Sequence, residues 1–398
     1  MAVLEILPDI YSVGVVDWNV RNFHGHTYTT KRGSSYNAYL IIDDKITLID
    51  TVFGPFSAEL IENIQQVVPV NKIDYIIANH VETDHSGALP EIMKLAPGAK
   101  IFGTEKCKEG LERYYYGNWD FQVVSSADKL KLGKRNLMFL EAPMIHWPDS
   151  MFTYCPEEAL LLPNDAFGQH LASQERFADE LDPCVVWDEA AKYYGNILWP
   201  LGAVILKKIE EVRKMNLPIE MIAPSHGVIW RKEPMRIVDK YASWAKNETA
   251  AKVVLVYETM WGATGKMARK IAEGIEKEGV SVKLFDITVS DRTEVIKEML
   301  DARGFIFGSS THDNGMLTNI AGFLDFIRGL KPKNRLAAVF GSYGWAAGAV
   351  KQMEAIIKET GINLALSGLQ VKYMPDKNDL EGCIEFGRNF SAAVKGGK

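Results

Sequence analysis

The feature that most constrains the fold is a regular alternation of strand-like and helix-like segments that begins near residue 250. The segment KVVLVYE is a run of mainly β-branched and apolar residues, typical of a strand buried on both faces of a parallel sheet. Helical spacing follows in KMARKIAEGIEKEG, and the alternation continues through GFIFGSS, NIAGFLDFIRGL and RLAAVFGSY. This pattern predicts a doubly wound α/β domain over residues 250–398.

The first part of the chain has a different pattern of strand-like and helix-like segments. Residues 1–249 contain short strand-like segments such as YNAYLIID, ITLIDTV, KIDYIIANH and LMFLEAP, with fewer helical segments between them. A polar stretch at 246–248 ends the last helical pattern, so we place a domain boundary close to residue 250. At 398 residues the chain is long enough for two or three domains.

Composition and charge exclude several classes of protein. The formal net charge is -6, so no basic surface is indicated and nucleic acid is not an expected partner. The 4 cysteines form no CxxC pair, which argues against a disulfide framework and against a zinc or iron–sulfur cysteine cluster. The opening MAVLEILPDI lacks the order of a signal peptide, and no stretch has membrane-spanning length. We therefore expect a cytoplasmic protein without a membrane partner.

Metal-ligand side chains cluster at the ends of strand-like segments in residues 1–249. The segment KIDYIIANH runs into HVETDH, in which four of six residues are of metal-ligand types. Alternate residues of a tight loop can point the same way, so His80 and Glu82 fit one metal ion while Asp84 and His85 fit a second. Three further candidates each follow an apolar strand: His146, Asp165 and His226.

The donor chemistry bears on the identity of the metal. Zinc sites favour histidine and cysteine, whereas this set joins four histidines to the carboxylates of Glu82, Asp84 and Asp165. Hard oxygen donors favour iron or manganese, with two ions sharing one carboxylate, although composition alone does not exclude zinc. Three other polar residues are candidates for the pocket around the metal ions: His24, His170 and Tyr193.

Three loops of the second domain suit a phosphate and an aromatic ring. Each follows the carboxyl end of a predicted parallel strand, where doubly wound folds bind ligands. The first loop precedes a helix N-terminus, whose backbone N–H groups and dipole favour phosphate, and it matches neither GxxxxGK[ST] nor GxGxxG. A mononucleotide flavin is therefore indicated, with an indole available for ring stacking. The candidate residues are Thr259, Met260, Trp261, Gly262, Ala263, Thr264, Ser310, Thr311, His312, Asp313, Asn314, Gly315, Ser342, Tyr343, Gly344 and Trp345.

The order of these motifs resembles the flavodiiron protein family, also called A-type flavoproteins. The motifs are HVETDH, HWPDS, NDAFG and SHG, followed by a module that resembles flavodoxin, and the resemblance covers essentially the whole chain. It implies a metallo-β-lactamase-like αββα sandwich over residues 1–249 and a flavodoxin-like doubly wound parallel sheet over residues 250–398. Hydrolases of that superfamily carry HxHxDH, and Glu82 stands in place of the second histidine.

The resemblance also implies cofactors, ligands and an activity. It implies one FMN and two non-heme irons, used to reduce dioxygen to water, nitric oxide to nitrous oxide, or both. Electrons would come from a separate donor such as rubredoxin or a reduced deazaflavin, and a head-to-tail homodimer or dimer of dimers would bring the flavin of one subunit beside the irons of another. The implied iron ligands are His80, Glu82 and His146 for one ion, Asp84, His85 and His226 for the other, and Asp165 as the bridge.

Two other functions stay open. One is a dinuclear zinc hydrolase of the metallo-β-lactamase superfamily, fused to a flavodoxin electron-transfer module; Glu82 and the number of carboxylates weigh against it. The other is an electron carrier in which the first domain is only a scaffold. Relatives that prefer oxygen and relatives that prefer nitric oxide share the ligand set, so the ligands do not decide between the two gases.

Overall fold

The computed structural model describes residues 3–396, and the chain divides into two compact units. The first unit takes the chain up to Tyr193 together with Ala203–Ala242. The second takes Tyr194–Gly202 and the chain from Ser243 onward. Within the described range, none of the helices is both long enough and apolar enough to cross a membrane.

The first unit is built on two facing sheets. In spatial order, the strands of the first sheet are Leu4–Leu7, Ile10–Ser12, Tyr39–Ile41, Thr47–Ile49, Tyr75–Ile77, Lys100–Gly103 and Phe121–Val123. Those of the second sheet are Lys129–Lys131, Asn136–Glu141, Met151–Cys155, Leu160–Leu162 and Met221–Ile222. Two small strand pairs accompany them: Val15–Asp17 with Ser34–Tyr36, and Asn22–Phe23 with Tyr28–Thr29.

Helical segments lie between these strands and after them. The α-helices up to residue 245 are Ser57–Gln65, Thr83–Ser86, Leu89–Leu95, Glu105–Tyr115, Pro183–Tyr193, Gly202–Lys214 and Met235–Ala245. Shorter turns of helix are Gly54–Phe56, Val70–Lys72, Pro156–Glu158, Ala178–Glu180, Tyr194–Leu198 and Trp199–Leu201.

Side-chain alternation along the strands separates the layers of the first unit. Leu48 and Ile76 belong to a core that the first sheet shares with helices, while their neighbours Ile49 and Ile77 belong to the core between the two sheets. On the outer face of the second sheet, strand side chains and the helices Gly202–Lys214 and Met235–Ala245 line an apolar cavity of about 380 Å³. Helices therefore cover both outer faces, and the predicted αββα sandwich is confirmed.

Three strands of the second sheet end at the same edge. Asn136–Glu141 and Leu160–Leu162 both pair antiparallel with Met151–Cys155, so they run in one direction. Met221–Ile222 pairs parallel with Leu160–Leu162 and shares that direction. The loops that leave this edge carry three candidate ligands: His146, Asp165 and His226.

The second unit contains a doubly wound sheet, as predicted. In spatial order its main strands are Ser281–Asp286, Ala250–Glu258, Ala302–His312, Leu336–Tyr343 and Asn363–Leu364, with Leu369–Lys372 and Gly315–Met316 paired beside this path. The neighbours along the main path pair parallel. The order is 2-1-3-4-5, so the direction of winding reverses beside Ala250–Glu258, which is where such sheets bind ligands. Its helices are Ala263–Lys277, Arg292–Met299, Thr318–Leu330, Gly348–Thr360 and Lys377–Lys395.

Two helices of the second unit approach each other closely because glycines lie where they cross. A Cβ atom on Gly274 would overlap the carbonyl oxygen of Ile384, and one on Gly387 would overlap the carbonyl oxygen of Ile271. The pair Ala263–Lys277 and Lys377–Lys395 is thus packed backbone against backbone. This fixes the helix whose N-terminus faces the predicted phosphate site.

Replacing Gly274 with alanine should force these helices apart and lower the free energy of unfolding of the second unit by about 1–3 kcal/mol, the usual cost of overpacking. Gly322→Ala is the matched control, because a Cβ there meets nothing within 4 Å. It should raise stability by about 0.4–1 kcal/mol by restricting the unfolded chain. Urea denaturation followed by circular dichroism measures both, and equal effects would contradict the close-packing argument.

Candidate functional site

The seven candidate metal ligands come together in two groups at the edge where the strands end. In each group, one donor atom per residue lies within 4.8 Å of the others. The first group is His80, Glu82, His146 and Asp165. The second group is Asp84, His85 and His226. The segment predicted as a loop is partly helical, since Thr83–Ser86 forms one turn that places Asp84 and His85 side by side.

The carboxylate of Asp165 lies between the two groups. Its Oδ2 is 3.6 Å from Nε2 of His80 and 3.3 Å from Nε2 of His146. Its Oδ1 is 3.0 Å from Nε2 of His85 and 3.5 Å from Nε2 of His226. One oxygen faces each group, which is the arrangement of a carboxylate that bridges a pair of metal ions.

One further carboxylate belongs to each group. Oε2 of Glu82 is 3.4 Å from Nε2 of His80 and 3.3 Å from Nε2 of His146. In the second group, Oδ2 of Asp84 is 3.1 Å from Nε2 of His226, and its Oδ1 is 3.4 Å from Nε2 of His85. Both groups therefore combine imidazole nitrogen with carboxylate oxygen, a donor set that suits iron.

Several donor atoms are buried without a hydrogen-bond partner among the described residues. They are Nε2 of His80, Oδ1 of Asp84, Nε2 of His85 and Oδ2 of Asp165. Unpaired polar atoms in a protein interior are costly unless another group binds them. Because these atoms point at one another across the two groups, the residues fit a pair of metal ions.

The pKa values of the ligand side chains also fit the binding of metal ions. Burial raises the pKa of Asp165, but the facing His85 and His146 outweigh burial and hold that pKa well below its usual range. Burial lowers the pKa of His146, but Asp165 and Glu82 outweigh it and raise that pKa to about 10. The buried carboxylates thus hold protons on the imidazoles, and divalent cations could replace those protons as the compensating charge.

The pocket candidates also lie beside the two groups. Nε2 of His24 is 3.5 Å from Oε1 of Glu82. The ring of His170 is 4.7 Å from the ring of His226, and Nδ1 of His170 is 2.8 Å from Oγ of Ser34. Burial, followed by the nearby His226, lowers the pKa of His170 well below its usual range, so this side chain is neutral.

Tyr193 is buried on the same side as His170. Its ring centroid is 5.1 Å from that of His170 and 6.2 Å from that of His226. Burial, with Asp165 adding to it, raises the pKa of Tyr193 well above its usual value. The phenol therefore keeps its proton at neutral pH.

Sequence reasoning missed a buried carboxylate that braces the ligand loops. Oδ1 of Asp50 accepts from the backbone N–H of Asn79 at 2.8 Å, and Oδ2 accepts from Nδ2 of Asn79 at 2.9 Å and from Nδ2 of Asn164 at 3.1 Å. These asparagines directly precede the ligands His80 and Asp165. The available signal was an aspartate that closes the apolar segment ITLID.

The second unit holds a cavity of about 700 Å³, within the roughly 300–1,000 Å³ typical of cofactor sites. Two indoles at this cavity are open to solvent, which is unusual for such large apolar groups: Trp345 is 92% exposed and Trp261 is 82% exposed. A planar ring that stacked on either indole would bury this surface. The predicted residues that line the cavity are Met260, Trp261, Ala263, Ser310, Thr311, His312, Asp313, Asn314, Ser342, Tyr343, Gly344 and Trp345.

The other predicted flavin residues shape the cavity from behind. Oγ1 of Thr264 is 2.9 Å from Oγ of Ser310 and 2.8 Å from Oγ of Ser342, so one buried hydroxyl joins three loops. Oγ1 of Thr259 accepts from the backbone N–H of Gly262, whose φ of 85° begins the helix Ala263–Lys277. This helix N-terminus and its hydroxyls fit a phosphate.

Gly315 lies apart from the cavity lining, in the short strand Gly315–Met316. Three lining residues were not predicted: Ala346, Tyr373 and Met374. The last two follow the strand Leu369–Lys372, which lacks the hydroxyl-rich loop that marked the other strand ends.

Comparisons with known proteins agree with both sites. Residues 255–387 match the flavodoxin family, and residues 35–227 match the ODP family beta lactamase. The chain is 50% identical over 393 residues to a nitric oxide reductase of Moorella thermoacetica, with 98% of each chain covered. It is 41% identical over 392 residues to an anaerobic nitric oxide reductase flavorubredoxin of Escherichia coli, covering 98% of this chain and 82% of that protein.

Solved structures give the same result. The rubredoxin oxygen:oxidoreductase of Desulfovibrio gigas superposes with a TM-score of 0.96 at 37% identity, covering 99% of this chain and 98% of that one. The flavodiiron protein of Giardia intestinalis superposes with a TM-score of 0.96 at 35% identity, covering 99% of this chain and 97% of that one.

Removing the carboxylate that faces both groups should affect both metal positions. We expect Asp165→Ala to lose both ions, whereas His226→Ala should weaken only the second group and keep the ion of the first. Metal per chain, measured by mass spectrometry after purification, tests this, with unchanged flavin per chain as the control for folding. Asp165→Ala protein that retained two ions would contradict the bridging assignment.

The hydroxyl cluster behind the flavin cavity gives a second test. Thr264→Val keeps the side-chain shape but leaves Ser310 and Ser342 without their shared partner, so flavin affinity should fall about 10-fold, the effect of roughly one hydrogen bond. Thr360→Val is the matched control, since the hydroxyl of Thr360 bonds to the backbone of Ile357 and Ile362 at the end of its helix, away from the residues that line the cavity. Flavin fluorescence titration measures both variants, and equal affinities would argue against the cluster's role.

Proposed function

Because the chain belongs to the flavodiiron protein family, we propose that it reduces dioxygen to water, nitric oxide to nitrous oxide, or both. The chain is an oxidoreductase, and its cofactors are FMN and a diiron centre. The observation that carries the proposal is the position of Asp165, with one carboxylate oxygen toward each group of ligands. We assign iron binding to the seven residues of these groups.

The two reactions balance with electrons and protons from outside the chain. One dioxygen takes four electrons and four protons and gives two waters, while two nitric oxides take two electrons and two protons and give one nitrous oxide and one water. When bound, FMN would supply electron transfer from the donor, and iron held by the seven ligands would supply the place where the gas is bound and reduced. The 50% identity to a protein named nitric oxide reductase supports nitric oxide as one substrate.

The chain's own residues prepare the pocket for this chemistry. The phenol of Tyr193 keeps its proton beside His226 and is our candidate for a hydrogen-bond donor to the bound gas. His170 is neutral and packs against the ring of His226, so it excludes water without adding charge. His24 contacts Glu82 from the outer side and restrains that carboxylate.

Further parts of the proposal concern partners and location. We assign the diiron site to residues 1–249 and the FMN site to residues 250–398. The name of the Desulfovibrio gigas relative supports a rubredoxin-type donor, and a reduced deazaflavin is the alternative. We propose a head-to-tail homodimer or a dimer of dimers, and a cytoplasmic location.

The test is iron and FMN content followed by parallel consumption assays for both gases with a rubredoxin donor system. We expect two irons and one FMN per chain, with turnover of at least one gas. His80→Ala should lose iron and gas consumption but keep FMN, whereas His26→Ala, an exposed histidine outside both ligand groups, should keep all three.

Two outcomes would overturn the proposal. Bound zinc with hydrolysis of a thioester or lactam, and no gas consumption, would assign the chain to the hydrolases. Unchanged function of His80→Ala would instead indicate an electron carrier whose first domain is a scaffold.

A further inference from the structure

Asp149 is a buried carboxylate in contact with a metal ligand. It is 3% exposed, and its Oδ2 accepts two hydrogen bonds, from Nδ1 of His80 at 2.9 Å and from the backbone N–H of Val81 at 2.7 Å. We propose that Asp149 is a positioning residue of the diiron centre, which fixes the tautomer and the ring orientation of His80. The inference rests on the proposed function and adds a residue to it.

The two hydrogen bonds decide which nitrogen of His80 carries the proton. An oxygen that accepts the N–H of Val81 is also the acceptor for the imidazole, so the proton of neutral His80 lies on Nδ1. The lone pair is then on Nε2, which lies 3.4 Å from Oε2 of Glu82 and 3.6 Å from Oδ2 of Asp165. Nε2 is therefore the nitrogen that binds iron, and it faces the other donors of the first group.

Asp149 also connects the two loops that supply this group. It lies three residues after His146, so its bond to His80 joins a loop of the second sheet to a loop of the first. Trp147 of the same loop packs edge-on against the His80 ring, with centroids 5.1 Å apart. The backbone carbonyl of Asp149 accepts from Oγ1 of Thr104 at 3.0 Å, which anchors the loop from the opposite side.

If Asp149 acted only by holding the loop in shape, removing its charge alone would leave the reduction potential of the iron unchanged. The test must therefore change the charge at this position while its hydrogen bonds are kept. Both bonds go to a single oxygen, and the amide oxygen of asparagine can accept both. Asp149→Asn therefore keeps the geometry and removes one negative charge next to His80. A carboxylate behind a ligating histidine raises the basicity of the ring and stabilises the more positive, oxidised metal. Its removal should raise the reduction potential of the diiron centre.

The experiment uses the full-length, FMN-loaded protein. Iron affinity is measured by competition with a chelator, and the midpoint potential of the diiron centre by redox titration monitored with electron paramagnetic resonance. We expect Asp149→Ala to bind iron about 10- to 100-fold more weakly, the usual effect of losing such a partner. Asp149→Asn should retain most of the affinity but show a higher midpoint potential.

Thr104→Val is the matched control for the loop. It removes the hydroxyl that holds the Asp149 carbonyl and that also caps the helix Glu105–Tyr115. We expect a lower melting temperature with unchanged iron affinity and midpoint potential.

The outcomes separate this inference from the proposed function. If the wild-type protein binds iron and reduces gas, but both Asp149 variants match it in affinity and potential, the positioning role is wrong. A Thr104→Val protein that reproduced the potential shift of Asp149→Asn would also overturn it, because the cause would then be loop stability. A wild-type protein that bound no iron would overturn the proposed function instead.

Discussion

The crowding of three carboxylates, two of them buried, in one small pocket is the constraint on which the first unit depends. Asp165 lies within a few ångströms of the imidazoles of both groups, and Glu82 and Asp84 each lie as close to those of one group. Like charges this close repel strongly in a protein interior. Such a cluster is stable only when cations compensate it, and the iron pair supplies that charge. Folding and metal binding are therefore linked, because the binding free energy offsets the repulsion.

Rigid strands and buried aspartates hold this cluster in place. The ligand loops leave three strands of the second sheet at one edge and one strand of the first sheet, so sheet packing sets the distances between them. Asp50 and Asp149 then fasten the loops at residues next to the ligands. The second unit uses the same principle, since the hydroxyl of Thr264 joins three loops behind the flavin cavity.

The sequence was most informative where a metal-ligating residue follows a segment with the clear pattern of a strand. A metal-ligating residue directly after an apolar strand can be recognised from the sequence alone. This is why His80, His146 and His226 could be placed together. Asp50 closes an apolar segment and Asp149 follows His146, but neither position identifies a partner of the ligand loops, because a buried aspartate that accepts backbone N–H bonds has the same local sequence as one in a surface turn. Tyr373 was missed for a related reason: it reaches the flavin cavity because the strand Leu369–Lys372 pairs with Leu336–Tyr343, which local pattern does not reveal.

The carboxylates and the iron pair set the charge of the pocket, and the two residues packed nearest His226 add none. Two divalent ions carry four positive charges, and the three carboxylate ligands neutralise three of them. The carboxylate of Asp149 is hydrogen-bonded to His80, so a further negative group is separated from the metal by one side chain. Tyr193 and His170 add no charge beside His226, and a diatomic gas is itself uncharged. The preference between the two gases must then arise from hydrogen bonding and shape at Tyr193, His170 and their neighbours, since net charge favours neither.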